Sequence, residues 1–133
     1  MSSTIWIGTR KGAFALRADQ QRRNWRLARP QFLGHIIHHI VQDPREPRRL
    51  VMAAKTGHLG PTVYTSSDRG RHWQEAKGPP AFRKAREGEA PRAVERVFWL
   101  TPGHSSEPGA WYAGTAPAGL FRSEDHGVSW QPI

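Results

Sequence analysis

Ser66-Ser67-Asp68-Arg69-Gly70-Arg71-His72-Trp73 and Ser123-Glu124-Asp125-His126-Gly127-Val128-Ser129-Trp130 share the pattern S-x-D-x-G-x-x-W. Each segment follows a short apolar run. Residue types that recur at fixed offsets mark a repeated structural unit, which constrains a fold more tightly than composition does. The pattern suits a tight turn between two strands. Asp accepts hydrogen bonds from nearby backbone N–H groups, and Ser does so more weakly. Gly takes φ > 0 without steric penalty. Trp lands on the returning strand as a large apolar plate. Ser66, Asp68, Gly70, Trp73, Ser123, Asp125, Gly127 and Trp130 are therefore read as structural, not catalytic or metal-binding.

The repeat extends upstream of the turns. Trp111-Tyr112-Ala113-Gly114-Thr115 is followed by Gly119-Leu120-Phe121-Arg122. Leu50-Val51-Met52-Ala53-Ala54 is followed by a Gly57–Gly60 turn and Thr62-Val63-Tyr64-Thr65. Near the N-terminus the same order appears as Ile5-Trp6-Ile7-Gly8-Thr9, then Gly12-Ala13-Phe14-Ala15-Leu16, ending in Asp19…Trp25. That third copy lacks the Gly and is one residue longer. A further strand, Ile36–Val41 or Ala93–Leu100, precedes each intact unit and is stopped by Asp43-Pro44 or Pro102-Gly103. Four-stranded antiparallel units of about forty to fifty residues are propeller blades.

The expectation is an all-β chain, a partial β-propeller of about two and three-quarter blades with no substantial helix. Strands are expected near 4–9, 13–17, 24–28, 36–42, 49–54, 62–66, 72–76, 94–100, 110–115, 119–123 and 128–132. The units are 1–30, 31–78 and 93–133 of one domain. Residues 76–93, rich in Pro, Gly, Lys, Arg and Glu, read as an exposed loop between blades.

On these residues the chain resembles the Asp-box (BNR-repeat) β-propellers, the repeat superfamily of sialidases and sortilin-type propellers. It is most similar to bacterial sialidase-like proteins of largely unassigned activity. The segments that carry the resemblance are Gly8-Thr9-Arg10-Lys11-Gly12, Asp43-Pro44-Arg45, Gly60-Pro61-Thr62-Val63 and Gly114–Ser123, together with the two Asp boxes. Such proteins are usually more than twice this length, so the resemblance implies the N-terminal part of a propeller. It also implies that the first strand of the first blade comes from the far C-terminus, which this chain does not offer. An arc of this kind would be marginally stable alone, or completed by self-association or by a missing C-terminal half.

The sequence carries 20 basic and 11 acidic residues, a formal charge of +9. Sixteen of the 20 are Arg, spread along the chain, with no basic stripe interleaved with aromatics. Compositional bias explains this better than a nucleic-acid partner, and no nucleic-acid partner is expected. No apolar run is long enough to span a bilayer, and the N-terminus lacks the basic-then-apolar order of a signal peptide. Zero Cys fits a cytoplasmic location. No cofactor is expected.

In the sialidase relatives ligands bind on the face opposite the Asp boxes. The resemblance therefore implies a site among Thr9–Gly12, Thr56–Pro61, Ala116–Gly119 and the loops near His35 and Arg92. Arg10 and Lys11 could hold an anion there, since Arg suits a carboxylate through its planar fork. Arg10, Lys11, His35 and His58 are the candidate ligand-binding residues, and an anionic carbohydrate or other small ligand is the candidate partner. A metal site is not expected. Strand alternation sends His38 and His39 to opposite faces, while His35 and His39 share a face too far apart for one ion. A sialidase needs three Arg, a Tyr nucleophile activated by Glu, and an Asp acid. The family's Arg-Ile-Pro motif is absent, and Tyr64 and Tyr112 lie within strands. Catalysis is left open. The main expectation is a ligand-binding or scaffold propeller fragment. The alternative is the N-terminal part of a sialidase-like glycoside hydrolase whose catalytic residues lie elsewhere.

Overall fold

Each apolar run becomes a strand, and each Gly- or Asp-containing segment becomes the turn that reverses it. The computed structural model describes residues 3–133. The first sheet is β1 (Ser3–Thr9), β2 (Gly12–Ala18) and β3 (Trp25–Leu27). The second is β4 (Ile36–Gln42), β5 (Leu50–Thr56), β6 (Gly60–Ser66) and β7 (Gln74–Glu75). The third is β8 (Arg96–Pro102), β9 (Trp111–Ala116), β10 (Gly119–Ser123) and β11 (Gln131–Pro132). All are antiparallel meanders, and no helix occurs among the described residues. The chain is a partial β-propeller. The first strands β4 and β8 touch each other, β4 also touches β1, and the outermost strands β7 and β11 do not meet.

Burial follows the stacking order. The second sheet is covered on both faces, so Leu50, Val51, Met52, Ala53 and Ala54 are all buried. Met52 and Ala54 pack with Ala13, Ile37, Tyr64 and Trp73 between the first two sheets. Val51, Ala53 and Val63 pack with Val97, Leu100, Trp111, Phe121 and Trp130 between the second and third. The third sheet is covered on one face, and in β9 only alternate residues, Trp111, Ala113 and Thr115, are buried. A continuous apolar run and a strict alternation thus distinguish a sandwiched sheet from a terminal one.

The Asp turns are held by their own side chains. Ser66 Oγ donates to Asp68 (2.9 Å) and accepts from the Gly70 N–H (2.8 Å), while Asp68 accepts from the His72 N–H (2.9 Å). Ser123 and Asp125 repeat this with Gly127 (2.9 Å) and Ser129 (2.8 Å). Asp19 keeps the same reach of four residues, accepting from the Arg23 N–H (3.0 Å), with Asn24 Nδ2 on its other oxygen (3.0 Å). Gly70 (φ +83°) and Gly127 (φ +89°) sit in the left-handed region. They also lie where the preceding sheet comes close. A Cβ on Gly70 would be 2.5 Å from the Trp6 ring, and one on Gly127 would be 3.2 Å from Thr65. Among the described residues no preceding sheet meets the Asp19 turn.

Three details differ from the sequence expectations. Trp73 and Trp130 precede the short outer strands instead of lying in them, because their indoles turn inward: Trp73 Nε1 donates to Gln31 (2.7 Å) and Trp130 Nε1 to the Gly127 carbonyl (2.9 Å). The segment 76–93 is anchored at its start. Gly78 exchanges backbone hydrogen bonds with Val128 and Trp130, and Phe82 packs on Phe121 with ring centroids 5.5 Å apart. Strands β4 and β8 each carry an irregularity, between Ile37 and His39 and between Val97 and Trp99. His38 and Phe98 are the extra residues, so simple alternation fails there.

Candidate functional site

The β1–β2 turn is a two-residue reversal that presents Arg10 and Lys11 to solvent. Thr9 Oγ1 accepts from the Lys11 N–H (3.1 Å) and donates to the Gly12 carbonyl (2.8 Å), which fixes it. The Gly34 N–H donates to the Lys11 carbonyl (3.0 Å), bringing the loop before β4 alongside. His35 lies in that loop, edge-on to Phe32 at 6.4 Å, and its Nδ1 is buried without a hydrogen-bond partner. Arg10, Lys11 and His35 are thus on neighbouring loops. His58 is exposed at the β5–β6 turn, and among the described residues no hydrogen bond or ion pair ties it to them. Arg92 donates to the Ala118 carbonyl (3.0 Å) and lies 4.0 Å over the Phe82 ring, joining the segment 76–93 to the β9–β10 turn.

Sequence reasoning missed two residues at this end of the arc and considered a third, His38, only as a metal ligand. Lys55 is next to last in β5, paired opposite Ile36, and Arg96 opens β8. His38 is the extra residue of β4, the strand that touches both β5 and β8. Burial, and then the charges of Arg96, Lys55 and Arg10, hold the His38 imidazole below its ordinary value. Its Nε2 is buried and has no hydrogen-bond partner. One cation from each of three sheets therefore bears electrostatically on one half-buried imidazole. Such a cluster repels itself and attracts an anion. Only the paired registers, with their extra residue, reveal it.

His39 has a different task. Its Nδ1 accepts from the Leu100 N–H (2.9 Å), and its ring stacks on Trp99 at 4.3 Å. It satisfies a backbone donor on β8, and burial holds it below its ordinary value. Asp43 is buried and Arg45 forks onto it, Nε to Oδ1 (2.9 Å) and Nη2 to Oδ2 (3.0 Å). Burial works to raise Asp43, but the Arg45 contacts outweigh it and hold the carboxyl low. Arg45 also donates to the carbonyls of Glu107 (2.8 Å) and Ala110 (2.9 Å), clamping the second sheet to the third.

Both tyrosines have aromatic or cationic packing partners. Tyr64 packs on Phe32 at 4.8 Å, and burial, with Glu75 opposite it, raises its phenol above the ordinary value. Tyr112 lies under Arg122 at 5.8 Å. Among the described residues no group of three His, Cys, Asp or Glu is arranged to hold a metal ion. No described helix is long and apolar enough to cross a membrane.

No protein-family model matches the chain, and no curated protein matches its sequence. Solved structures do match its fold. A GH74 xyloglucanase from Xanthomonas campestris superposes with a TM-score of 0.62 at 19% identity, over 99% of this chain and 21% of that one. YCF48, bound to a D1 peptide, superposes with a TM-score of 0.56 at 13% identity, over 96% of this chain and 35% of that one. Both are β-propeller proteins, and at these identities the likeness shows the fold. The chain spans about a fifth and about a third of their lengths.

Proposed function

We propose that this chain is a segment of an Asp-box propeller that serves as a ligand-binding scaffold and takes an anionic ligand beside β4, the strand that touches β1, β5 and β8. The observation that carries the reading is that Arg10, Lys55 and Arg96, one cation from each sheet, form no ion pair among the described residues. Two further features support it. The Asp turns consume their own hydrogen-bonding groups and leave none for a ligand. The neighbouring His35 and His38 nitrogens have no partner. An acidic carbohydrate fits this chemistry through charge-assisted hydrogen bonds to its carboxylate.

The test is a titration of the purified chain with acidic sugars at low and at physiological salt. Saturable binding should weaken with salt and in both Arg10→Gln and Lys55→Gln. Affinity unchanged in both variants would overturn the reading. Turnover of a generic sialoside that disappears in Arg10→Gln would favour a glycosidase in its place.

A further inference from the structure

The repeat supplies an internal control at its two sheet junctions. Counting five residues from each hairpin turn, the cross-strand pair Thr4–Arg17 of the first sheet occupies the position of Val51–Thr65 in the second. Counting one and three residues from each Asp, Arg69 and Arg71 occupy the positions of His126 and Val128. At the junction of the second and third sheets these positions are neutral and closed. Val51 is buried, and Thr65 and Val51 lie 3.2 and 3.3 Å from where a Gly127 Cβ would stand. At the junction of the first and second sheets the same positions open into a cleft of about 380 Å³. Arg17, Arg69 and Arg71 line it, with Thr4 beside them, Trp6 on one wall and the buried Leu50 on its floor.

None of these three guanidinium groups pairs with a carboxylate among the described residues. Met1 and Ser2 carry no acidic side chain that could. The Asp turn also fixes the display. Arg69 is held at φ +62° by the surrounding hydrogen bonds, which sets the direction of its side chain. Three like charges around one cleft repel unless a counter-charge joins them. The sister junction shows that the fold does not require charge at these positions.

We propose that this cleft binds a phosphate or sulfate ester. Three guanidinium forks offer more donors than the two oxygens of a carboxylate can use. A tetrahedral ester presents three peripheral oxygens and suits three such forks. The Trp6 indole and the Leu50 floor meet the organic part of the ester. This site lies at the Asp-turn end of the arc, away from Arg10, Lys55 and Arg96, and stands or falls apart from them.

The experiment is calorimetric titration of the full chain with a sugar phosphate, the matching sugar sulfate and the unesterified sugar. Saturable one-to-one binding of either ester, with none of the bare sugar, is the expected result. Arg17→Gln and Arg71→Gln should each weaken it about tenfold or more, the effect of removing a charge-assisted hydrogen bond. Arg86→Gln, in the exposed segment 76–93, should leave it unchanged. All three are exposed side chains, and equal melting temperatures would show that the variants fold. No saturable binding of either ester, or equal affinity in wild type, Arg17→Gln and Arg71→Gln, would overturn the proposal. So would a loss confined to Arg86→Gln.

Discussion

Gly70 and Gly88 have the same backbone angle, φ +83°, but different surroundings. Nothing lies within 4 Å of a Cβ on Gly88, whereas one on Gly70 would press into the Trp6 indole. Gly88→Ala therefore carries the left-handed backbone penalty alone, about 1–2 kcal/mol. Gly70→Ala adds the overpacking cost of a filled junction, about 1–3 kcal/mol. Urea unfolding of both variants measures the difference, and equal losses would mean that Trp6 moves aside freely. Arg45 sets a second residue-scale test. Arg45→Ala strands the buried Asp43 carboxylate and should cost about 3–5 kcal/mol. Arg45→Lys should recover only part of this, because one ammonium cannot reach both carboxylate oxygens and two carbonyls. Complete recovery with Lys in the same denaturation assay would contradict the forked geometry. At this scale the sequence revealed the turn role of Gly70 and placed Gly88 in an exposed loop. It did not reveal the second reason for Gly, because the atoms that require it belong to another sheet.

The elements carry the pH dependence. His38, His39 and His126 are all held below their ordinary value, with burial the leading cause in each. Above about pH 6.5 these groups are neutral in the folded and unfolded chain alike, and stability is full. As the pH falls below that value the unfolded chain takes up protons that the folded one resists, so stability declines. Asp43, Asp68 and Asp125 are also held low, and the stability they contribute is lost only below about pH 4. Melting temperature against pH should therefore fall in two stages, and His39→Gln should flatten the first while leaving the second. A melting temperature that is flat from pH 7 to pH 5 would contradict this. Eleven strands were legible, because alternation and Gly/Pro punctuation mark them directly. The irregularities in β4 and β8 were not. An extra residue inside Ile36-Ile37-His38-His39-Ile40 or Val97-Phe98-Trp99-Leu100 leaves an apolar run that still reads as a plain strand. Lys55 and Arg96 went unnoticed for the same reason, since each gains meaning only from the register of its neighbours.

At the scale of the whole molecule, the two outward faces of the arc differ from its interior. The first sheet leaves Trp25 and Leu27 exposed, and the third leaves Phe98, Trp99 and Leu120 exposed. Gly8 and Gly114 both precede the Thr at a hairpin turn. At Gly8 the Ile37 carbonyl of the next sheet lies 2.9 Å from where a Cβ would stand, so glycine there admits the incoming β4. Gly114 lies on the uncovered face of the third sheet, where the three atoms nearest to a Cβ belong to Phe98 and Trp99 of its own sheet. The outward face therefore retains the small residue that a further first strand would need, together with apolar area to cover. Stacked units of this kind bury their faces only against neighbours. The isolated chain should accordingly associate with itself, reversibly and with concentration. Sedimentation equilibrium over a range of concentrations measures this directly. Leu120→Arg, which places a charge on the uncovered face without touching either core cluster, should shift the population toward monomer. A wild-type chain that remains a cooperatively folding monomer at all concentrations would show that three stacked sheets are sufficient alone, and that the exposed aromatics serve some purpose other than a neighbouring blade.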